Sequence, residues 1–408
     1  MDNLTHSIIG LAAGELIDRS LPPEPNREQA HARHRLLLVT GALASNFPDI
    51  DLAFMPFLSR PLGYLLEHRG HTHTLLFAIP EALLLVALLW LLWPAARQVL
   101  RVSAAARKGV ALAAGLGLLL HLCMDYLNSY GLHPFAPVDS RWLYGDTIFI
   151  IEPMFWVLLG VPLIMQSHQR SMRTALLVLL GGVLAGCTAA GFLLWQSLVL
   201  LAVAAVVVGV LQGRWRHALL AGTVVSLAWI GVQASASHMA RAQVAAGLAQ
   251  QDAGSILHDA AMTPFPANPL CWSFVSVESD AAHDRYRLRR GVLSLSEAIV
   301  PVASCPVKLA GGVAPSGARA IAWLGSTEAS LAELQHLQQT NCHVDAWLRF
   351  ARMPSIDGET ATDLRFGNLG AANFSSIDYA ARAGMPCPAW LPRWNQPRAD
   401  LLHVLPSQ

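Results

Sequence analysis

Residues 174–213 read TALLVLLGGVLAGCTAAGFLLWQSLVLLAVAAVVVGVLQG, forty positions without an Asp, Glu, Lys or Arg. As a single helix this run would be about 60 Å long, whereas the hydrocarbon core of a bilayer is about 30 Å thick. The run must therefore fold back, and Trp195-Gln196-Ser197 is the natural turning point. The same character recurs on either side of it. Residues 75–95, 110–130, 147–166, 174–195, 197–212 and 217–235 all read as crossing helices, the fifth being short.

Composition agrees with that reading. Of the 408 residues, 54% are apolar and 13% charged, about half the charge of an ordinary soluble domain. A cytosolic enzyme and a disordered chain are both excluded. The net charge of +1 offers no basic field, so no nucleic-acid partner is expected. The expected fold is mostly α: a polytopic transmembrane helical bundle over residues 1–236, then a C-terminal α+β soluble domain over 237–408.

Loop charge sets orientation. Arg97, Arg101, Arg107 and Lys108 separate the first two runs, Arg170 and Arg173 the third and fourth, Arg214 and Arg216 the fifth and sixth. If the runs alternate, all these loops share one side, the cytoplasmic one, and the tail is extracytoplasmic. The start of the chain lacks the basic residues of a signal peptide. Instead two short apolar stretches, residues 3–17 and 36–47, flank a loop carrying Arg19, Arg27, Arg33 and Arg35. They read as half-buried helices that dip in from the outer face.

The tail changes period. Trp272-Ser273-Phe274-Val275-Ser276-Val277 and Tyr286-Arg287-Leu288 alternate as half-buried strands do, and residues 328–339 look helical. Cys271, Cys305, Cys342 and Cys387 form an even set, which in an oxidising compartment points to two disulfides with three pairings open, the alternative being four buried free thiols.

The chemistry lies in the first 152 residues. His121 and Asp125 are four apart on an otherwise Leu, Gly and Ala helix face, and ionisable groups within a span usually pair, face a cavity or bind something. His6, Asp49, Asp51, His68, His73, Asp146 and Glu152 fall near the outer ends of apolar stretches under the same alternation. Taken singly each has an ordinary reading as a cap, a turn or a solvated residue. Together they form an N/O donor set that suits a divalent ion, zinc or alternatively manganese, as one ion or a pair. Such an ion activates water toward phosphorus or a carbonyl. Arg69, beside His68, has the fork to clamp a phosphate. A site at the outer membrane face points to a substrate in the bilayer, a phospholipid or a polyprenyl-linked phosphate among the membrane lipids.

Five elements carry a family likeness: Met1-Asp2-Asn3-Leu4-Thr5-His6, Phe47-Pro48-Asp49-Ile50-Asp51, His68-Arg69-Gly70-His71-Thr72-His73-Thr74, His121-Leu122-Cys123-Met124-Asp125, and residues 144–153, YGDTIFIIEP. With these the sequence resembles the membrane-bound metal-dependent hydrolases of the YdjM/YbcI type, bacterial inner-membrane proteins. The resemblance implies metal-dependent hydrolysis with His6, Asp49, Asp51, His68, His73, His121, Asp125 and Asp146 as metal ligands. Arg69, Asp51 and Glu152 are the expected catalytic residues, Glu152 standing where the family usually has Asp. Two other readings compete: a divalent-metal transporter, which needs polar groups through the inner half of the spans, and a non-catalytic, metal-stabilised envelope scaffold.

Overall fold

A computed structural model describes residues 1–214, 217–252, 254–312 and 320–402. The chain forms two compact units. Residues 1–50, 71–136 and 149–231 make the first, and residues 51–70, 137–148 and 232–408 the second. Two segments of the amino-terminal half thus pack with the tail, which a single cut after residue 236 does not foresee.

The first unit opens with a helical hairpin, Asn3–Ser20 and Arg27–Ala44. Both helices are capped: the Asp2 carboxylate accepts from the Thr5 N–H at 3.0 Å, and the Asn26 side chain from the Gln29 N–H at 2.9 Å. The two backbones touch. A Cβ at Gly10 would run into the Gly41 carbonyl, and one at Gly41 into the Gly10 carbonyl, the small-residue packing by which membrane helices approach closely. At the far end Arg33 bonds Asp18 at 2.8 Å and Glu24 at 3.1 Å, and Arg19 bonds Glu15 at 2.6 Å. Part of the positive charge of this loop is therefore neutralised within the fold.

Among the described residues five helices are long and apolar enough to cross a membrane: Leu75–Leu92, Ala104–Tyr126, Arg170–Ala189, Trp195–Gln212 and Ala218–Gln251. A sixth is reached if Arg27–Ala44 and Phe47–Phe57, bent by 52°, count as one broken span. The long apolar run does turn back, with one helix ending at Ala189 and the next starting at Trp195. The apolar run expected at 147–166 is a shorter helix than its hydropathy suggests. The helix there is Pro153–Met165, about 20 Å long and so shorter than the bilayer core. Its start is fixed by Pro153 in the first turn, where a missing N–H costs nothing, and by the Glu152 carboxylate, which accepts from the Met154 N–H at 3.1 Å. Arg216, one of the expected loop charges, lies outside the described residues.

The second unit is built on an antiparallel meander of β1 (Ile256–Phe265), β2 (Asn268–Asp280), β3 (Arg285–Ser294) and β4 (Ile321–Ser330). Ala236, Ala240, Val244 and Leu248 repeat every four residues along the Ala218–Gln251 helix and bury against Trp272, Phe274 and Leu293 of the sheet. A smaller sheet holds β5 (Pro354–Asp357), β6 (Thr360–Asp363) and β7 (Ile377–Asp378). The helix expected from residue 328 begins at Leu331. Glu328 belongs to β4, and the Ser330 hydroxyl caps the helix by accepting from the Glu333 N–H at 3.0 Å. Of the three open pairings the structure has Cys271–Cys305 and Cys342–Cys387, while Cys123 and Cys187 are free thiols.

Candidate metal centre

In the first unit Asp49, His73, His121 and Asp125 come together, one ligating atom from each lying within 4.8 Å of the others. Each arrives from a different local device. Asp49 sits in the 3₁₀ turn Phe47–Ala53, which follows the second hairpin helix. His73 ends the short turn His71–His73, and Thr74 directly after it caps the Leu75–Leu92 helix. His121 and Asp125 share a face of the Ala104–Tyr126 helix near its end, as the i,i+4 spacing required.

The hydrogen bonds behind the cluster fix what it offers. Nδ1 of His121 lies 2.8 Å from the Ser45 carbonyl oxygen. A carbonyl can only accept, so Nδ1 carries a proton, and when the ring is neutral Nε2 presents a lone pair. His73 has its Nδ1 3.0 Å from the Thr72 hydroxyl. The two Nε2 atoms face each other at 3.1 Å. Around them Asp125 Oδ2 stands 3.4 Å from His73 and 3.6 Å from His121, and Asp49 Oδ1 stands 3.5 Å and 3.8 Å from the same two nitrogens. His73 and His121 are fully buried and Asp125 nearly so. With the Thr72 hydroxyl accepting from His73 Nδ1, both Nε2 lone pairs face inward, and a cation among them would relieve their repulsion. Two imidazoles and two carboxylates are also a hard-to-borderline set that fits zinc or manganese.

His6 stands beside this group. Its ring stacks on His121 with centroids 4.1 Å apart, and its Nε2 is 3.3 Å from Asp125 Oδ1. The Met1 α-amino group donates to Asp125 and lies 3.0 Å from the same Nε2. Thr5, next to His6, accepts from the Trp156 indole at 2.8 Å. That bond ties the first helix to Pro153–Met165. Glu152 is fully buried and acts there as the helix cap.

The remaining expected residues lie in the second unit. Asp51 accepts from the Arg69 backbone N–H at 3.2 Å and lies 3.2 Å from Nδ1 of His68, whose ring stacks on Tyr64. Arg69 is buried and held at φ 59°, in the left-handed region.

Asp146 is a correction. Its oxygens accept from Arg352 at 2.8 Å each and from Arg241 at 2.7 Å, so the carboxylate is taken up by guanidinium and not by the histidine cluster. Arg352 also bonds Asp259 at 2.7 Å and lies over the Tyr144 ring at 4.1 Å. Burial alone would raise Asp259, yet Arg352, Arg398 and Arg241 hold its carboxyl well below the usual range. Sequence reading missed Arg352, Arg241 and Asp259 because no local pattern links Asp146 to partners 95 and 206 residues along the chain. It also missed the Ser45 carbonyl, a backbone group that leaves no mark in the residue types.

Residues 1–194 match the YdjM inner membrane protein family, as the motifs led us to expect. Asp49, His73, His121, Asp125 and the adjacent His6 all fall within that stretch. With the five apolar helices, the match makes this an integral membrane protein. Among curated proteins, the uncharacterized protein YfhP of Bacillus subtilis (strain 168) is 27% identical over 157 residues, which cover 38% of this chain. The chain spans 43% of that relative's length. No solved structure matches.

Proposed function

We propose that this chain is a membrane-bound metal-dependent hydrolase whose ion is held by Asp49, His73, His121 and Asp125, in a bacterial inner membrane with the tail extracytoplasmic. The observation that carries the reading is the pair of buried Nε2 atoms 3.1 Å apart, one of them fixed as a lone-pair donor by the Ser45 carbonyl, beside two carboxylates. A divalent ion among two carboxylates and two imidazoles would balance acidic charge that a single α-amino group at Asp125 offsets only in part. When bound, zinc or manganese supplies a Lewis acid and brings the ionisation of water toward neutral pH.

The side chains do the rest. Thr72 and the Ser45 carbonyl orient the two ligand rings, as outer partners of metal-binding histidines do. His6 has Nε2 within reach of Asp125 and is the residue we assign to receiving and returning a proton. The cluster sits where the Leu75–Leu92 helix begins and the Ala104–Tyr126 helix ends. For spanning helices that is the level of the lipid headgroups, which favours a phosphoester carried by a phospholipid or polyprenyl lipid over a free cytosolic metabolite.

The test is metal analysis of detergent-purified protein, followed by a screen of phosphoester and lipid-phosphate substrates with and without chelator. We expect stoichiometric divalent metal, chelator-sensitive turnover, and loss of both in His121→Ala. A folded wild-type protein that binds neither zinc nor manganese would end the proposal.

A further inference from the structure

The second unit aligns a serine, a histidine and an aspartate. Pairing of β1 with β2 is regular except between Leu257 and Asp259, where the register shifts at His258. Such bulges re-aim a side chain and are over-represented next to active sites. From the bulge His258 places Nε2 2.6 Å from the Ser279 hydroxyl on β2, and Nδ1 3.3 Å from Asp400 Oδ2 on the Ala399–Leu402 turn of helix. Asp400 is itself steadied. The Leu401 backbone N–H donates to it at 3.1 Å, and Arg398 lies 3.4 Å away.

The nitrogens are in the order that nucleophilic catalysis uses: Nε2 to the hydroxyl, Nδ1 to the carboxylate that fixes the tautomer. Ser279 is 7% exposed, and His258 keeps 16% of its side chain accessible. His258 also borders a cavity of about 310 Å³, whose walls include Ala242, Ala245, Leu257 and Ala260 with the polar side chains of His238, Arg241 and Asp259. Its small alanine side chains leave room for a compact acyl group.

The geometry points to a second reactive centre, independent of the metal cluster, in which Ser279, His258 and Asp400 cleave a short-chain carboxylic ester. Ser279 Oγ bonds to the acyl carbon while its proton passes to His258 Nε2. The imidazolium returns that proton to the departing alcohol. A water then attacks the acyl carbon and gives a proton to the same nitrogen, which passes it back to Ser279 Oγ as the acid leaves. Asp400 orients the ring throughout and touches no reacting atom.

Diisopropyl fluorophosphate tests this on the full chain in detergent with chelator present, since it forms a Ser–O–P bond and expels fluoride only at an activated hydroxyl. We expect the Ser279 peptide to gain one dialkylphosphoryl group, at a rate that rises with pH along a single-proton curve. His258→Ala should slow labelling by about 10³-fold or more, and Asp400→Asn should slow it without changing reactivity toward a thiol probe at Cys123. Folding of each variant is checked by retention of both disulfides. An unlabelled Ser279 in folded wild type overturns the proposal, as does a rate independent of pH or unchanged in folded His258→Ala. Because the wild-type adduct and its pH profile need no variant, a His258→Ala that misfolds does not rescue a negative result.

Discussion

Two buried acidic clusters, one in each unit, use carboxylates to different ends. In the second unit Asp146 and Asp259 meet Arg352, Arg241 and Arg398 at 2.7 to 3.4 Å. Each oxygen has a guanidinium nitrogen in front of it, and the acidic charge is fully countered within the protein. In the first unit Asp49 and Asp125 meet imidazoles at 3.3 to 3.8 Å, mostly too far for a good hydrogen bond. The Met1 α-amino group also donates to Asp125. Residue type alone therefore does not mark a metal site. What separates the two clusters is whether the protein has already supplied the counter-charge.

Removing that counter-charge gives the largest expected effect. Arg352 is 4% exposed and bridges the buried Asp146 and the half-buried Asp259. Arg352→Met should cost about 3–5 kcal/mol, the usual penalty for orphaning buried charge, read as a lowered thermal midpoint of the second unit. Adding Asp146→Leu should recover part of it. A midpoint unchanged by Arg352→Met would mean the network is not what holds this unit together.

The corresponding cut in the first unit should behave differently. His121→Ala should lower zinc affinity by at least about 100-fold, since even outer partners of metal ligands cost 10- to 100-fold. In the metal-free protein it should cost much less stability than Arg352→Met. Competition with a chromogenic chelator measures the first quantity and calorimetry the second. If the apo protein melts as early as in the Arg352 variant, the two clusters are the same kind of structure and the contrast fails.

How much of this was legible in advance follows from the range of each interaction. Periodicity within one segment exposed the spans, the turn near Trp195, the strands around Trp272 and the shared face of His121 and Asp125. Local backbone chemistry moved the boundaries: Pro153 with its Glu152 cap shortened one expected crossing, and the Ser330 cap moved a helix start three residues along. Long-range pairing was not legible. Nothing near Asp146 announces Arg352, and nothing near His258 announces Ser279 or Asp400. The division of the HRGxTH element was equally hidden, His68 and Arg69 going to one unit and His73 to the other.

A smaller effect concerns pH. Asp259 is held well below the ordinary carboxylate range by its arginines. A depressed folded value stabilises above the unfolded value of about 4, and that stability is lost as pH falls below it. Tyr144, buried under Arg352, is pushed by burial up to about 12. A raised folded value in an acid that stays neutral stabilises fully below the unfolded value of about 10, and that share is lost as pH rises from there toward 12. The midpoint of the second unit should therefore fall on both sides, and Tyr144→Phe should flatten the alkaline fall alone. An alkaline limb unchanged in that variant would assign it to another group.

The smallest effect isolates what burial contributes. Arg141 and Asp139 form a forked pair with bonds of 2.7 to 3.1 Å, as close as those of Arg352, yet 71% of the Arg141 side chain is exposed. Water screens such a pair, and ordering a long side chain offsets what attraction remains. Arg141→Ala should leave the melting midpoint within experimental scatter at low and high salt alike. If it instead lowers the midpoint in a salt-dependent way, geometry and not desolvation sets the strength of these pairs. The distances of Arg352 would then no longer distinguish its cluster from the surface, and the difference from the histidine cluster would rest on ligand type alone.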